Sequence, residues 1–188
     1  MEAVKILALC GSLRQASYNM AALEALQRLA PEQVDVDIYR GLGDLPLFNP
    51  DLEGQVIPAF DELRAALAAC HGLVIASPEY AHGISAVMKN ALDWLVSGEE
   101  FVHLPVALIN TSPRAGHAQA ALREVIRTMS GNIIEQACVS IPLLGSHLDA
   151  SGIVNTPDIA SALKSSLDTF CTEIRHIRHN GSLQPAGS

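Results

Sequence analysis

The stretch that decides the fold is Val4-Lys-Ile-Leu-Ala-Leu-Cys-Gly-Ser-Leu-Arg-Gln-Ala-Ser-Tyr-Asn19. Its continuous apolar run, residues 4–10, predicts a strand buried on both faces, because a half-exposed strand would alternate apolar and polar residues. Gly11 ends the run, and a polar turn leads into helical periodicity near Met20. A strand, a turn of small residues and a helix form an anion site, since the first helical amides are unpaired and lie at the positive end of the helix dipole.

The turn after Gly11 carries four side chains that suit a phosphate. Ser12 and Ser17 offer hydroxyl donors, Arg14 offers a forked guanidinium, and Asn19 offers an amide. An ordinary helix N-cap made by Ser17 or Asn19 is the alternative, and such caps are common. A cap needs only one such residue, so four of them beside a glycine favour the anion site.

Other phosphate-binding patterns do not match. The chain lacks Gly-x-x-x-x-Gly-Lys-Ser/Thr, which excludes a Walker-type nucleotide triphosphatase. It also lacks Gly-x-Gly-x-x-Gly, and Gly41-Leu-Gly43 does not stand between a strand and a helix as a dinucleotide fingerprint requires. Three residues separate Cys10 from Arg14, whereas a cysteine phosphatase loop has five, so Cys10 is predicted to be a small buried residue.

Composition narrows the class of protein. The chain has 188 residues, which predicts one domain over residues 1–180, and a disordered Gly/Ser/Pro tail is expected at 181–188. A net charge of −8 and an aromatic content of 4% argue against nucleic-acid binding. No apolar stretch is long enough to span a membrane. Four scattered cysteines without metal-ligand spacing predict reduced thiols, no metal site and a cytoplasmic location.

Hydrophobic periodicity predicts five strands that alternate with five helices. This pattern is typical of an α/β three-layer sandwich with a parallel sheet and helices on both faces. Strand order 2-1-3-4-5 is favoured, because the loops after strands one, three and four then converge at one edge of the sheet. The strands are expected at 4–10, 34–39, 73–76, 105–109 and, short or split, within 133–141; the helices at about 19–30, 58–70, 84–95, 118–129 and 156–179.

Two further loops follow strands at this edge. Residues 77–83 join the third strand to a helix, so Tyr80 is expected either to flank a flat ligand or to pack in a protein interface. His82 lies on this loop, and no carboxylate partner is identifiable from the sequence, so an exposed, non-catalytic histidine is expected there. Residues 110–116 form the third loop, while the long segment 41–55 is expected to be functional or interfacial.

These motifs resemble the NADPH-dependent FMN reductase family of flavodoxin-like proteins, which includes quinone, azo and chromate reductases. The family's phosphate loop, Gly-Ser-Leu-Arg-x-x-Ser-x-Asn, matches residues 11–19. Its second signature matches Pro78-Glu79-Tyr80 and the run 89–94, Lys-Asn-Ala-Leu-Asp-Trp, in register. The segments 44–51 and 111–116 are also similar to the family, and the likeness extends from Val4 to about Met129.

The resemblance implies an FMN site and a place for each of its residues. The phosphate would contact Ser12, Arg14, Ser17 and Asn19, with Tyr18 in the same loop. The isoalloxazine would lie beside Pro78, Glu79, Tyr80 and Ala81, and its other edge beside the segment from Ser112 to Gly116. The chain departs from the family at Ala81, where Asn is usual, at Ser85-Ala86, where Pro-Gly is usual, and at Pro113-Arg114, in a loop that is often rich in glycine.

The implied activity is an NAD(P)H oxidoreductase with no catalytic side chain and no metal. FMN would take a hydride from NADPH or NADH at N5 and pass electrons to a quinone, free flavin, azo compound or similar small acceptor. Family members place this site beside a dimer interface, so a homodimer or homotetramer is expected, with 44–51 and 80–94 as interface candidates. The departures keep open a non-enzymatic flavin-binding or regulatory module, and a phosphatase on the same fold is a weaker alternative.

Overall fold

A computed structural model of the chain describes residues 3–181. The central strand is β1, Val4–Cys10, which pairs in parallel with a strand on each side. The other strands are β2 (Val34–Tyr39), β3 (Gly72–Ala76), β4 (Glu79–Tyr80), β5 (Gly83–Ile84), β6 (Pro105–Asn110), β7 (Asn132–Ile133) and β8 (Val139–Ser140). The helices are α1 (Tyr18–Leu29), α2 (Pro58–Ala69), α3 (Ala86–Leu95), α4 (Gly116–Thr128), α5 (Ala150–Val154) and α6 (Pro157–Gly181).

The main sheet is parallel and runs β2-β1-β3-β6-β7, with β8 also paired to β6. The predicted order 2-1-3-4-5 is confirmed, with β6 as the fourth strand. The predicted fifth strand is split into β7 and β8, which pair with opposite ends of β6. Between them, the backbone N–H of Leu108 donates to Cys138 Sγ at 3.4 Å, where strand pairing is interrupted.

β1 separates two apolar cores, which explains why it is apolar at every position except the exposed Lys5. Val4, Ile6 and Ala8 face a core shared with α1 and α6. Leu7 and Leu9 face a second core shared with α2, α3 and α4. Helices therefore cover both faces of the sheet, as predicted for a flavodoxin-like three-layer sandwich.

Two short elements were not predicted. β4 and β5 form a short hairpin that occupies the predicted loop 77–83 and extends to Ile84, so α3 begins at Ala86 and not at the predicted residue 84. The short helix α5 precedes the last helix. The last helix continues to Gly181, and residues 182–188 of the predicted tail lie outside the described residues. Within residues 3–181, every helix is too short or too polar to cross a lipid bilayer.

The long segment 41–55 is attached to α3 through the second signature. Asn90 accepts from Phe48 N–H at 2.8 Å and donates to the Pro46 carbonyl at 2.9 Å. Trp94 Nε1 donates to the same carbonyl at 2.8 Å, and the Trp94 ring meets Phe48 edge-on at 5.2 Å. Asn90 and Trp94 thus fix this loop against the helix, although Leu47 at its tip remains 84% exposed.

Candidate functional site

The phosphate loop begins with a close approach between backbone and side chains at Gly11. The Gly11 amide donates to the Ala76 carbonyl at 2.8 Å, which joins the end of β1 to the end of β3. A Cβ at Gly11 would lie 2.3 Å from Ser77 Oγ and 2.9 Å from Ser85 Oγ. Those two buried hydroxyls are hydrogen-bonded to each other at 3.2 Å. Only glycine fits here, and Ser85 therefore has a structural contact despite departing from the family pattern.

Ser17 is the N-cap of α1. Its Oγ accepts from the Met20 amide at 3.3 Å, so the simple capping alternative is confirmed for this residue. Ser12 Oγ accepts from the Arg14 amide at 3.4 Å, and Asn19 Oδ1 accepts from the Thr111 hydroxyl at 3.1 Å. The cap thus accounts for one of the four polar residues, and the phosphate site stays a prediction for the group.

Arg14 differs from its neighbours in the loop. Ser12, Ser17 and Asn19 are buried, whereas Arg14 is exposed. Its guanidinium makes no hydrogen bond or ion pair with the part of the chain that the structure describes. A cation beside the N-terminus of α1 adds to the positive potential that the helix dipole already supplies.

The loops after β1, β3 and β6 line one cavity of about 330 Å³ at the carboxyl edge of the sheet. This size falls at the lower end of the range of about 300–1,000 Å³ that ligand pockets occupy. The predicted site residues line it except Ala81, which lies in the hairpin turn, and Gly116, which begins α4. Its lining is Ser12, Arg14, Ala16, Ser17, Tyr18, Asn19, Ser77, Pro78, Glu79, Tyr80, Asn110, Thr111, Ser112, Arg114, Ala115 and Leu144.

A larger cavity, about 570 Å³, adjoins the same loop on the β2 side. Arg40 lines it, but its Nη2 is 3.0 Å from Glu24 Oε1 and so already has an anionic partner. This cavity lacks the β3 and β6 loops. Ligands of open α/β sheets bind at the carboxyl ends of the strands, where the connecting loops converge, so the smaller cavity is favoured as the ligand site.

Glu79 connects the hairpin to α4. Its Oε2 accepts from the Ala118 amide at 2.8 Å, and its Oε1 is 3.1 Å from His82 Nδ1. The Ala118 hydrogen bond, followed by that of His82, lowers the pKa of the Glu79 carboxyl below its ordinary value. His82 is exposed, as expected, but it has the carboxylate partner that the sequence did not reveal, and its ring lies 4.6 Å from that of His117.

Cys10 lies below the cavity at the end of β1. Its side chain is 4% exposed and its Sγ donates to the Ser12 carbonyl at 3.4 Å. Burial raises the pKa of the thiol, which keeps it protonated at neutral pH and therefore a poor nucleophile. The prediction of a small buried residue is confirmed.

Sequence reasoning missed Thr111 and His117. Thr111 is buried and donates to Asn19, which is 92 residues away in the sequence. The rings of His117 and His82 meet edge to face at 4.6 Å. Thr111 lies in the loop after β6, and His117 lies in the first turn of α4, which follows that loop. Their position after a strand was the only sign in the sequence that they could belong to the site. These side chains join the three loops into one connected structure.

The fold and cavity define a class, a flavodoxin-like domain with a ligand-sized cavity at the carboxyl edge of its sheet. Residues 4–143 match the family model for NADPH-dependent FMN reductases. A 2-hydroxy-1,4-benzoquinone reductase of a Burkholderia species is 31% identical over 182 residues, which cover 94% of this chain and 99% of that protein. An NAD(P)H-dependent FMN reductase of Pseudomonas aeruginosa is 29% identical, over 93% and 97% of the two chains.

Among solved structures, the flavoenzyme NAD(P)H:(acceptor) oxidoreductase FerB of Paracoccus denitrificans superposes with a TM-score of 0.75 at 24% identity, over 92% of this chain and 98% of that one. This likeness supports the fold. The chain belongs to the NADPH-dependent FMN reductase family. It is an FMN-dependent NAD(P)H oxidoreductase, which sets aside the non-enzymatic module and the phosphatase.

The residues present fit FMN. The cavity opens at the N-terminus of α1, where the positive end of the helix dipole and the Arg14 guanidinium suit a phosphate. The hairpin supplies Tyr80, whose 54% exposed ring suits the side of a flat group.

Proposed function

We propose that this protein reduces a quinone or a chemically similar small acceptor at the cavity between its three loops. The naming of the Burkholderia relative as a benzoquinone reductase supports the acceptor class. The observation that carries the proposal is the convergence of residues from 12–19, 77–80 and 110–115 on one cavity.

In this proposal, the phosphate-loop residues fix one end of FMN. Ser12, Arg14, Ser17, Tyr18 and Asn19 bind the phosphate through hydroxyl, guanidinium, amide and backbone N–H donors. Pro78, Glu79 and Tyr80 border the ring on one side, with Ala81 in the adjoining turn, and the segment from Ser112 to Ala115, just before Gly116, borders its other edge.

The chain's own contribution to the reaction is orientation and electrostatics. When bound, FMN would supply hydride and electron transfer between NADPH or NADH and the acceptor. The protein positions the ring, and backbone N–H groups of the loops stabilise negative charge on its pyrimidine edge. No side chain is assigned as nucleophile, acid or base, in agreement with the protonated state of Cys10.

We also propose a homodimer or homotetramer in the cytoplasm. Leu47 and Tyr80 are large, exposed side chains on elements that are fixed in place, which supports the 44–51 loop and the hairpin as the interface. The remaining candidate stretch contributes less, because Met88, Leu92 and Trp94 are buried within the protomer. Sedimentation of the wild type and of Leu47→Asp measures the oligomer; a smaller species for the variant is expected.

The test of the FMN site is a titration of the purified protein with FMN. Arg14→Ala is expected to weaken FMN affinity by about 10–100-fold, since charged hydrogen bonds contribute about 1.5–3 kcal/mol. Arg28→Ala, on the last turn of α1, is the matched control and should bind FMN like the wild type. Anaerobic NADPH should then bleach the bound flavin, and a quinone should restore its absorption. Unchanged spectra at saturating FMN would refute the site.

A further inference from the structure

The hairpin beside the cavity is strained at its turn. Ala81 and His82 connect β4 to β5 with φ angles of +49° and +61°, in the left-handed region that favours glycine. A two-residue hairpin turn with positive φ at both positions is normally made by Asn-Gly or Asp-Gly. Neither residue here relieves the strain by its own conformational freedom, so contacts elsewhere must stabilise this geometry.

The Glu79 carboxylate provides such contacts from both of its oxygens. One accepts from the Ala118 amide in the first turn of α4, and the other meets the His82 ring inside the turn. The Glu79 side chain is only 12% exposed, whereas that of His82 is 77% exposed. A second link runs between the rings of His82 and His117. The carboxylate thus joins the strained turn to a helix of the main domain.

The two elements that Glu79 joins are two walls of the cavity. Pro78, Glu79 and Tyr80 line one wall, and the segment 112–115, which leads directly into α4, lines the other. We propose that Glu79 is a positioning residue that sets the distance between these walls and so the fit of the flavin ring. This inference rests on the proposed function, because it takes the cavity to be the FMN site.

Charge supports this role. The groups that face the Glu79 carboxylate are the His82 and His117 rings and the N-terminus of α4, all of which are neutral or positive. The Ala118 hydrogen bond holds the pKa of the carboxyl low, so Glu79 is ionised at neutral pH and accepts through both oxygens. No proton transfer by Glu79 is needed for it to hold the walls.

The test compares Glu79→Ala and Glu79→Gln with the wild type. Alanine removes both contacts, and we expect at least a tenfold weaker FMN affinity and a changed visible circular dichroism of the bound flavin. Glutamine can accept from the Ala118 amide and donate to His82 Nδ1, so it should restore affinity to within about threefold. Glu124→Ala is the control, because it removes an exposed carboxylate from the same helix. Far-ultraviolet circular dichroism of each apoprotein checks the fold.

Hydrogen exchange of the apoprotein gives a readout that does not need FMN. Glu79→Ala should lose amide protection at Ala118 and in 79–84, while protection in β1 and β3 is retained. Tight FMN binding by Glu79→Ala, with an unchanged flavin spectrum, would overturn the positioning role and leave the proposed function intact. Failure of the wild type and of Glu124→Ala to bind FMN would refute the proposed function and this inference together.

Discussion

The two regions that line the cavity, the phosphate loop and the hairpin, are stabilised by different kinds of interaction. The phosphate loop follows the central strand, and its Ser12, Ser17 and Asn19 side chains are buried and hydrogen-bonded. The hairpin lies outside the main sheet, has two residues with positive φ and exposes Tyr80. The first region is stabilised by close packing, and the second by a few polar contacts with α4.

This difference matches the parts of the ligand that each region is proposed to bind. A phosphate is small and always charged, so a rigid set of donors suits it. The ring side must admit two successive substrates, a nicotinamide and an acceptor. Element stability within a protein varies, and segments with few buried apolar contacts open most easily. We therefore expect substitutions in the phosphate loop to lower the free energy of unfolding more than substitutions in the hairpin do.

The largest expected effect is that of Gly11→Ala. The added methyl would overlap both the Cβ and the Oγ of Ser77. Overpacking of this kind lowers the free energy of unfolding by about 1–3 kcal/mol. FMN binding should also be lost, since the start of the loop must move. Urea denaturation and FMN titration measure the two effects.

Gly116→Ala is the matched control for stability. A Cβ at Gly116 meets no atom within 4 Å, so its unfolding free energy should be unchanged or slightly higher. Equal urea midpoints for Gly11→Ala and Gly116→Ala would contradict the conclusion that only glycine fits at position 11.

The next effect is that of Asn19→Ala. It leaves the buried Thr111 hydroxyl without the acceptor that it has now, which costs about 1–3 kcal/mol of unfolding free energy. Asn19→Ala with Thr111→Val removes both partners and should cost less than the sum of the single changes. A strictly additive double-mutant cycle would show that the two residues do not interact.

Ala81→Asn is expected to have a smaller effect and to raise, not lower, the free energy of unfolding. Asparagine tolerates the left-handed region better than alanine, and the family usually has Asn here. The apoprotein should gain up to about 1 kcal/mol, visible as a higher thermal midpoint. A lower midpoint would mean that the turn is not strained at this position.

The smallest expected effect is a change in how the free energy of unfolding depends on pH. The folded pKa of Glu79 lies below its ordinary value of 4.5, so the carboxylate stabilises the fold above that pH, and this stabilisation is lost as the pH falls through the folded pKa. Glu79→Gln should therefore lie closer to the wild type in acid than at pH 7, as urea midpoints at both pH values would report. A constant difference would rule out ionisation of Glu79 as the cause.

The sequence predicted the backbone of segment 11–19 better than that of the hairpin, for a physical reason. Continuous apolar runs and helical periodicity are local signals, and they located β1, β3, α1 and the sheet order. The hairpin has neither alternation nor an Asn-Gly turn, and α5 is too short to have a period. The contacts of Glu79 with Ala118 and of Asn19 with Thr111 join distant segments, so spacing along the chain could not reveal them.

The split of the outermost strand affects how copies of this protein meet one another. An intact edge strand offers a continuous row of N–H and C=O groups that can template aggregation. Here that row is broken between β7 and β8 by residues 135–137, and the opposite edge strand, β2, directs the charged Asp35 and Asp37 to solvent. Both margins of the sheet thus discourage strand addition from a neighbouring molecule.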